Sequence, residues 1–207
     1  MNLVVFAEIV MTQGRTLIKL KEKYNADYMK QEVFIPLGMK TAEVDQEGLY
    51  IKNKVKGYTV LSNNIFEETP KSFNWIFGGG DMVGTIDDVY CLNKAIKNKE
   101  LLKEEAWQSI LTPNEINGMG KGCFITEYKG RKLIRHNGGH SGFRTLHAQV
   151  LDDDFDVIIM LNCDRDYRLD LLKLCLSTFY GSGKIDERTS AMDVGYVQNN
   201  RKEEKCL

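Results

Sequence analysis

After Gly118, Gly120 and Gly122 the hydrophobic pattern of this chain changes from a helical period to alternation, and four alternating runs follow at about 123–128, 132–137, 144–151 and 155–161. Alternation places successive side chains on opposite faces of a strand. The three connections are short enough for hairpins, so the runs predict an antiparallel meander. A leucine-rich helix at 167–180 must then lie on that sheet, with Leu169, Leu172, Leu176 and Phe179 toward it. With 207 residues, 43% of them hydrophobic, the chain is long enough to bury one core. The expected class is α+β, an antiparallel sheet of about four strands packed with helices.

The residues ahead of the sheet read as mostly helical, over about 3–115. Residues 3–13 are almost continuously apolar, which predicts a helix buried on all sides and stopped by Gly14. Thr16 can cap a second helix carrying Leu17, Leu20, Tyr24 and Tyr28 to about Lys30. Pro36-Leu-Gly-Met39 is a turn, Leu49–Ile51 and Tyr58–Leu61 form a short hairpin, and residues 62–76, with Pro70, make a surface loop. Thr85-Ile-Asp-Asp88 is a capping box that starts a helix with Ile86, Val89 or Tyr90, and Ile96 toward the core. A shorter helix covers Glu104 to Leu111 and ends before Pro113. From Gly181 the hydrophobic density falls and five basic residues balance five acidic ones, so 1–180 is expected to be the domain and 181–207 a polar linker or tail.

Composition removes several classes of function. A net charge of −1 supplies no basic face for nucleic acid. Cys91, Cys123, Cys163, Cys175 and Cys206 are odd in number and widely spread, so neither a disulfide framework nor a zinc site is indicated, and no metal or other cofactor is expected. Glu8 interrupts the apolar opening, no basic start or small-residue cleavage site accompanies it, and no run approaches the ~20 apolar residues of a membrane span. A soluble chain without a signal peptide is expected. An apolar first segment is unusual for the frayed start of a domain, which implies that the chain begins inside a larger fold.

The candidate site is His136-Asn-Gly-Gly-His140-Ser-Gly-Phe-Arg-Thr145. Gly138 and Gly139 remove two Cβ atoms, so a substrate or another backbone can approach the main chain. His136 suits binding of a carboxylate or sharing of a proton near neutral pH; its plain alternative is a strand histidine that only packs. His140 follows in a glycine-rich loop rather than on a helix, which argues against a two-histidine metal site. His147 reads as a plain strand position, Asp152–Asp154 as a hairpin turn, and Gly181-Ser-Gly-Lys184 as a helix stop.

Taken together, these landmarks resemble the serine β-lactamase and penicillin-binding-protein-like hydrolases, in particular class C-type esterases and D-aminopeptidase-like members. Asn2–Val10 looks like the buried helix after the family's Tyr-x-Asn motif. Pro36-Leu-Gly-Met-Lys-Thr41 is similar to its Pro-Leu-Gly-Met-x-x-Thr segment, and Gly78–Asp88 to its Gly-Gly-x-x-x-Thr-x-x-Asp helix start. His136-Asn137-Gly138 stands where the family has Lys-Thr-Gly or His-x-Gly, with Gly142-Phe143 after it, and Leu161-Asn162 resembles the end of the last strand. The resemblance spans roughly residues 3–180 and implies a partial β-lactamase/transpeptidase-like fold.

It also implies a chemistry. A Ser-x-x-Lys serine is acylated, a Tyr-x-Asn or Ser-x-Asn motif relays a proton, and the Lys/His-x-Gly strand closes the pocket and helps form the oxyanion hole. On that reading His136, Gly138 and Gly139 are the catalytic residues here, with Gly139 giving an oxyanion N–H, and Asn137 and His140 contact substrate. No serine in the chain has lysine three residues on, and no Tyr-x-Asn occurs; Thr16-Leu-Ile-Lys19 has the spacing by coincidence. The expectation is therefore the C-terminal part of a serine hydrolase acting on an amide or ester, inactive alone. Small molecules or peptides would be the parent protein's substrates, and an unpaired sheet edge would allow a homodimer. The alternative is a non-catalytic binding or regulatory module derived from that fold.

Overall fold

The structure is a computed structural model in which residues 4–6, 26–45, 50–61, 64–67, 82–114, 118–140 and 142–185 are described. The elements run β1 (Val4–Phe6), α1 (Ala26–Met29) continued by a π-helical turn (Lys30–Phe34), β2 (Glu43–Val44), β3 (Tyr58–Leu61), β4 (Asn64–Glu67) and β5 (Met82–Gly84). There follow α2 (Ile86–Asn98), α3 (Glu104–Ile110), β6 (Phe124–Tyr128), β7 (Arg131–His140), β8 (Phe143–Val150), β9 (Phe155–Leu161) and α4 (Arg168–Tyr180).

The meander is present as read: β6, β7, β8 and β9 are neighbours in chain order, each pair antiparallel. Lys129 and Gly130 join β6 to β7 with φ of 51° and 78°. Two consecutive positive φ values give a turn whose twist matches that of the strands. Helices cover both faces. On one, Ile125, Ile134, Ile158 and Met160 meet Val89, Leu92 and Ile96 of α2 together with Met29 and Phe34. On the other, Leu133, Leu146, Ala148, Val150, Val157 and Ile159 meet Leu172 and Leu176 of α4 and, beyond that helix, Ile185. The central strand β8 is buried along almost its whole length, its polar residues included.

Two landmark segments that lie far apart in sequence meet at the start of α2. Thr85 caps the helix, and its hydroxyl accepts from Asp88 N–H while the Asp88 carboxylate accepts from Thr85 N–H at 2.9 Å. The same carboxylate accepts from Thr41 N–H at 3.2 Å and from the Thr41 hydroxyl. The Pro36–Thr41 turn is thereby fastened to the helix start, so these landmarks serve the scaffold.

Several expectations are corrected. The apolar start is not a helix at Val4–Phe6 but a strand, paired antiparallel with β5, which in turn pairs with β2. A short, wholly apolar run suits a buried strand as well as a buried helix, and only the distant partner decides. Residues 7–25, which carry the rest of that helix and most of the second, lie outside the described residues, as do Leu49 and Gly78–Gly80. Tyr58–Leu61 pairs with Asn64–Glu67 rather than with the segment around Tyr50, so part of the expected surface loop is strand. The main chain of Tyr58 also bonds to Asn162 and Asp164 at 3.0 and 2.9 Å, tying that hairpin to the end of β9.

On α2, Val89 and Ile96 are buried as expected, whereas Ile86 and Tyr90 are exposed. Ile86 lies in the first turn, ahead of the stretch that meets the core. On α4, Leu172 and Leu176 are buried and Leu169 half-buried, but Phe179 is exposed, because the sheet ends at Phe155 and the Phe179 ring rests on it at 4.6 Å between centroids. No helix among the described residues is long and apolar enough to cross a membrane.

Candidate active-site strand

Strand β7, which carries the candidate site residues, is ten residues long, and its two neighbours do not follow it equally far. It pairs with β8 from Leu133 to His140, but with β6 only from Arg131 to Arg135. From His136 onward the described residues place no strand on the outer side. The expected strand at about 132–137 therefore runs on through Gly138–His140, expected as a glycine-rich loop, with His140 paired to Phe143. Two glycines did not break it because β8 supplies a full ladder of hydrogen bonds on its inner side.

Leu151 N–H donates to Lys132 C=O at 3.2 Å, which sets the phase of the ladder. In an antiparallel pair the main-chain groups alternate between the two sides, so even-numbered residues of β7 address β8 while Asn137 and Gly139 address the outer side. Gly139 is exposed, and a Cβ placed there would meet only the Arg144 side chain, at an ordinary 3.5 Å. Among the described residues no close approach requires this glycine. Gly142 is different: with φ of 74°, its Cβ would come within 2.6 Å of the Gly57 and Tyr58 main chain.

A buried cation fixes this end of the strand. Arg168, in the first turn of α4, donates from Nη1 to Gly138 C=O at 2.6 Å and Thr145 C=O at 3.1 Å. Nε, at 2.7 Å, and Nη2 donate to the Asp166 carboxylate. Burial works to raise the pKa of Asp166, but hydrogen bonds and charge from Arg168 outweigh it and hold the carboxyl below its usual range. Arg144, across from Gly139, donates to Phe143 C=O at 2.7 Å and His140 C=O at 3.3 Å. Burial, and then the like charge of Arg168, keep its pKa below the ordinary arginine value.

The predicted site residues divide between the two faces of β7. His136 is half-buried on the α2 face, opposite His147, with ring centroids 6.3 Å apart and planes tilted by 37°. Asn137 turns to the α4 face, where its Oδ1 accepts from Arg135 Nη1 at 3.1 Å. The Arg135 guanidinium is itself buried 4.6 Å over the Phe124 ring. Gly138 is held by Arg168, and half-buried His140 ends the strand. Among the described residues no group of three or more His, Cys, Asp or Glu is placed to hold a metal.

Beneath His136 lies a polar layer that the alternation of β8 did not reveal. His147 is 5% exposed, and its Nδ1 is 2.8 Å from Asn93 Oδ1. Burial first, and then the charge of His136, push the His147 pKa down to about 3. Asn93, in α2, donates from Nδ2 to Asp156 Oδ1 at 2.7 Å. Gln149 donates to the same oxygen at 3.0 Å and to Asn93 C=O at 2.7 Å. The available signal was Asn93 itself, four residues from Val89 and three from Ile96, a polar residue on the apolar face of a helix.

No family model matches the chain. In sequence it is 24% identical, over a 177-residue alignment that covers 75% of this chain, to penicillin-binding protein 4* of Bacillus subtilis (strain 168). A penicillin-binding protein homologue from Pyrococcus abyssi, described as octameric, superposes with a TM-score of 0.64 at 19% identity over 76% of this chain. The fold is that of the penicillin-binding-protein-like, β-lactamase-type hydrolases. A D-stereospecific amidohydrolase from Streptomyces sp. matches with a TM-score of 0.61 at 20% identity, over 76% of this chain and 48% of that one. A D-amino acid amidase from Ochrobactrum anthropi SV3 matches at 0.61 and 18% identity, over 91% and 55%. The chain spans 39% of the Bacillus subtilis relative and 38% of the Pyrococcus abyssi one, so it carries part of the penicillin-binding-protein-like fold.

Proposed function

We propose that this chain forms the strand-side wall of an acyl-transfer site in a serine hydrolase that cleaves an amide or ester through an acyl-enzyme. The observation that carries the reading is the end of β7 beyond its pairing with β6, where Gly139 presents its main chain on a side with no strand among the described residues while His136 stands on the α2 face. Such an edge can donate the Gly139 N–H to the oxygen that gains charge as a carbonyl is attacked. It can also align an extended substrate by strand addition. His136 then binds a substrate carboxylate or shares a proton near neutral pH, Gly138 keeps the strand close to Arg168, and Asn137 and His140 flank the substrate. The acylated serine is supplied from outside these residues, since none of the serines here has lysine three positions on.

The test is labelling by a fluorescent penicillin, with the chain alone and mixed with a separately expressed segment carrying Ser-x-x-Lys and Tyr-x-Asn. The expected result is no label on the chain alone, label on the added segment in the mixture, and loss of that label with Gly139→Pro. Labelling of a serine in the chain alone overturns the assignment of the nucleophile. A stable but unlabelled mixture favours the second reading, a binding or regulatory module, which rests on the absence of Ser-x-x-Lys and Tyr-x-Asn from these residues. As one of the two edge strands of the meander, β9 is proposed to pair with a second copy. A monomer in sedimentation, with β9 protected in hydrogen exchange, counts against that pairing.

A further inference from the structure

Helix α4 is apolar on more than the side it buries. Leu172 and Leu176 rest on Leu146, Ala148 and Val150 of β8 and on Val157 and Ile159 of β9, so the helix lies over both strands. Tyr180 leans toward β7, with the Arg131 guanidinium on its ring, whereas Phe179, about 100° away around the helix, rests on Phe155 of β9. Continuing round in the same sense come Cys175, Leu171, Thr178 and Leu174, none of them charged. Leu174 is 60% and Phe179 66% exposed, and Leu171 and Cys175 are half-buried. This flank overhangs the outer edge of β9. Tyr58 N–H donates to Asn162 C=O at 3.0 Å, so the even-numbered residues of β9 address that outer side. Among the described residues no strand pairs there with Asp156 or Ile158, and β9 carries no Lys, Arg or Pro to guard its edge.

One twofold axis serves both features. Phe179 is level with Phe155, and a helix rises ~1.5 Å per residue against ~3.3 Å for a strand, so Val157 is level with Leu174 and Cys175. The bond from Arg168 to Thr145, which pairs with Met160, fits the same scale. A copy turned about an axis beside Val157 sets Asp156 against Ile158 in an antiparallel ladder. The two α4 helices, each over β8 and β9, then lie about two strand spacings apart, roughly 9–10 Å, which is the distance at which helices pack. We propose that a second copy of this chain docks on β9 and on this flank of α4 at once, with Leu174 opposite Cys175 and Leu171 opposite Thr178 across the axis. The contact covers roughly 500 Å² per copy, about 1,000 Å² in all, the lower limit for a specific interface, so the dimer is a weak, micromolar one. The inference rests on the reading of β9 as an edge that pairs with a second copy, and supplies the other half of that contact.

The experiment is sedimentation equilibrium of the full chain, joined to disulfide crosslinking by a mild oxidant and peptide mapping. Across the axis the two Cys175 Cα atoms come within the ~4–7 Å that a disulfide spans. A Cys175–Cys175 crosslink is therefore expected, and Cys175→Ser should remove it. Leu174→Glu, at an exposed position, should keep the urea midpoint and weaken the dimer about tenfold or more, because it buries like charges against each other. Leu174→Lys should do the same, and an equimolar mixture of the two variants should recover the association. A dissociation constant that neither variant changes, or crosslinks that form only through other cysteines, overturns the inference; so does a chain that stays monomeric at millimolar concentration. Hydrogen exchange separates the two halves of the contact. Protection of the Asp156 and Ile158 main-chain N–H groups on association, with no effect of Leu174→Glu, keeps the β9 pairing and removes the α4 contact. The Cys175 crosslink without that protection does the reverse, and the penicillin test bears on neither.

Discussion

The two faces of the meander are covered by helices to a similar extent but by different means. Toward α4 the contact is apolar: Leu172 and Leu176 are 0% exposed and rest on Leu146, Ala148, Val150 and Ile159. Toward α2 the apolar contact is interrupted, at its centre, by His147, Gln149, Asn93 and Asp156 bonded to one another. The first arrangement gains its stability from area removed from water and tolerates small shifts. The second gains little net free energy from its hydrogen bonds but fixes orientations, since each buried polar group left unmatched costs about 1–3 kcal/mol. The face with fixed orientations is the one that carries His136.

This comparison breaks first on the apolar side. Leu172→Ala should lower stability by about 2–5 kcal/mol, read from urea unfolding, because α4 has no other residue at that point to fill the cavity. A loss well under ~1 kcal/mol would falsify the claim that α4 is anchored there. Asn93→Ala is expected to cost about 1–3 kcal/mol by leaving His147 Nδ1–H and Asp156 without their amide. A neutral outcome would mean the polar layer is solvated.

Next comes pH. The folded His147 pKa of about 3 lies below its ordinary 6.5, so the unfolded chain takes up the proton first as pH falls. Stability from this group is present above about pH 6.5 and declines toward about pH 3, by up to about 2 kcal/mol at pH ~5. His147→Gln should flatten that limb; equal slopes for the two proteins would show that the histidine does not titrate on unfolding. The smallest effect belongs outside both faces. Lys97 pairs with Asp154, whose side chain is 90% exposed, and Lys97→Ala should leave the urea midpoint unchanged.

Legibility in the sequence followed the range of the causes. The capping box at Thr85–Asp88, the Lys129–Gly130 turn region between two alternating runs, and the four strands are set by residues near one another in the chain. These were readable to within a few residues. Val4–Phe6 was misread because its partner, Met82–Gly84, is remote and an apolar run alone has no period to distinguish strand from helix. Tyr58–Leu61 was given the wrong partner because two short candidate strands flank it and only the fold selects one.

The candidate site shows the same limit. That His136, Gly138 and Gly139 lie together on one strand, β7, is what the structure shows of it. What supports it was not legible: Thr145, His147 and Gln149 alternate with Leu146, Ala148 and Val150 just as a solvated face does, and only α2 turns that face into an interior. Arg168 gave no local sign either, since its acceptors lie 30 and 23 residues away.

The Arg168 clamp has a kinetic consequence. By bonding Gly138 and Thr145 from the first turn of α4, it joins the site strand and the last helix into one opening unit. The amides of His136, Gly138 and His140, which address β8, cannot become accessible to solvent exchange by simple fraying of the β7 end, because that end lets go only when the helix start lifts with it. Any ligand that grips the outer edge of β7 will therefore slow the breathing of α4, although it never touches that helix.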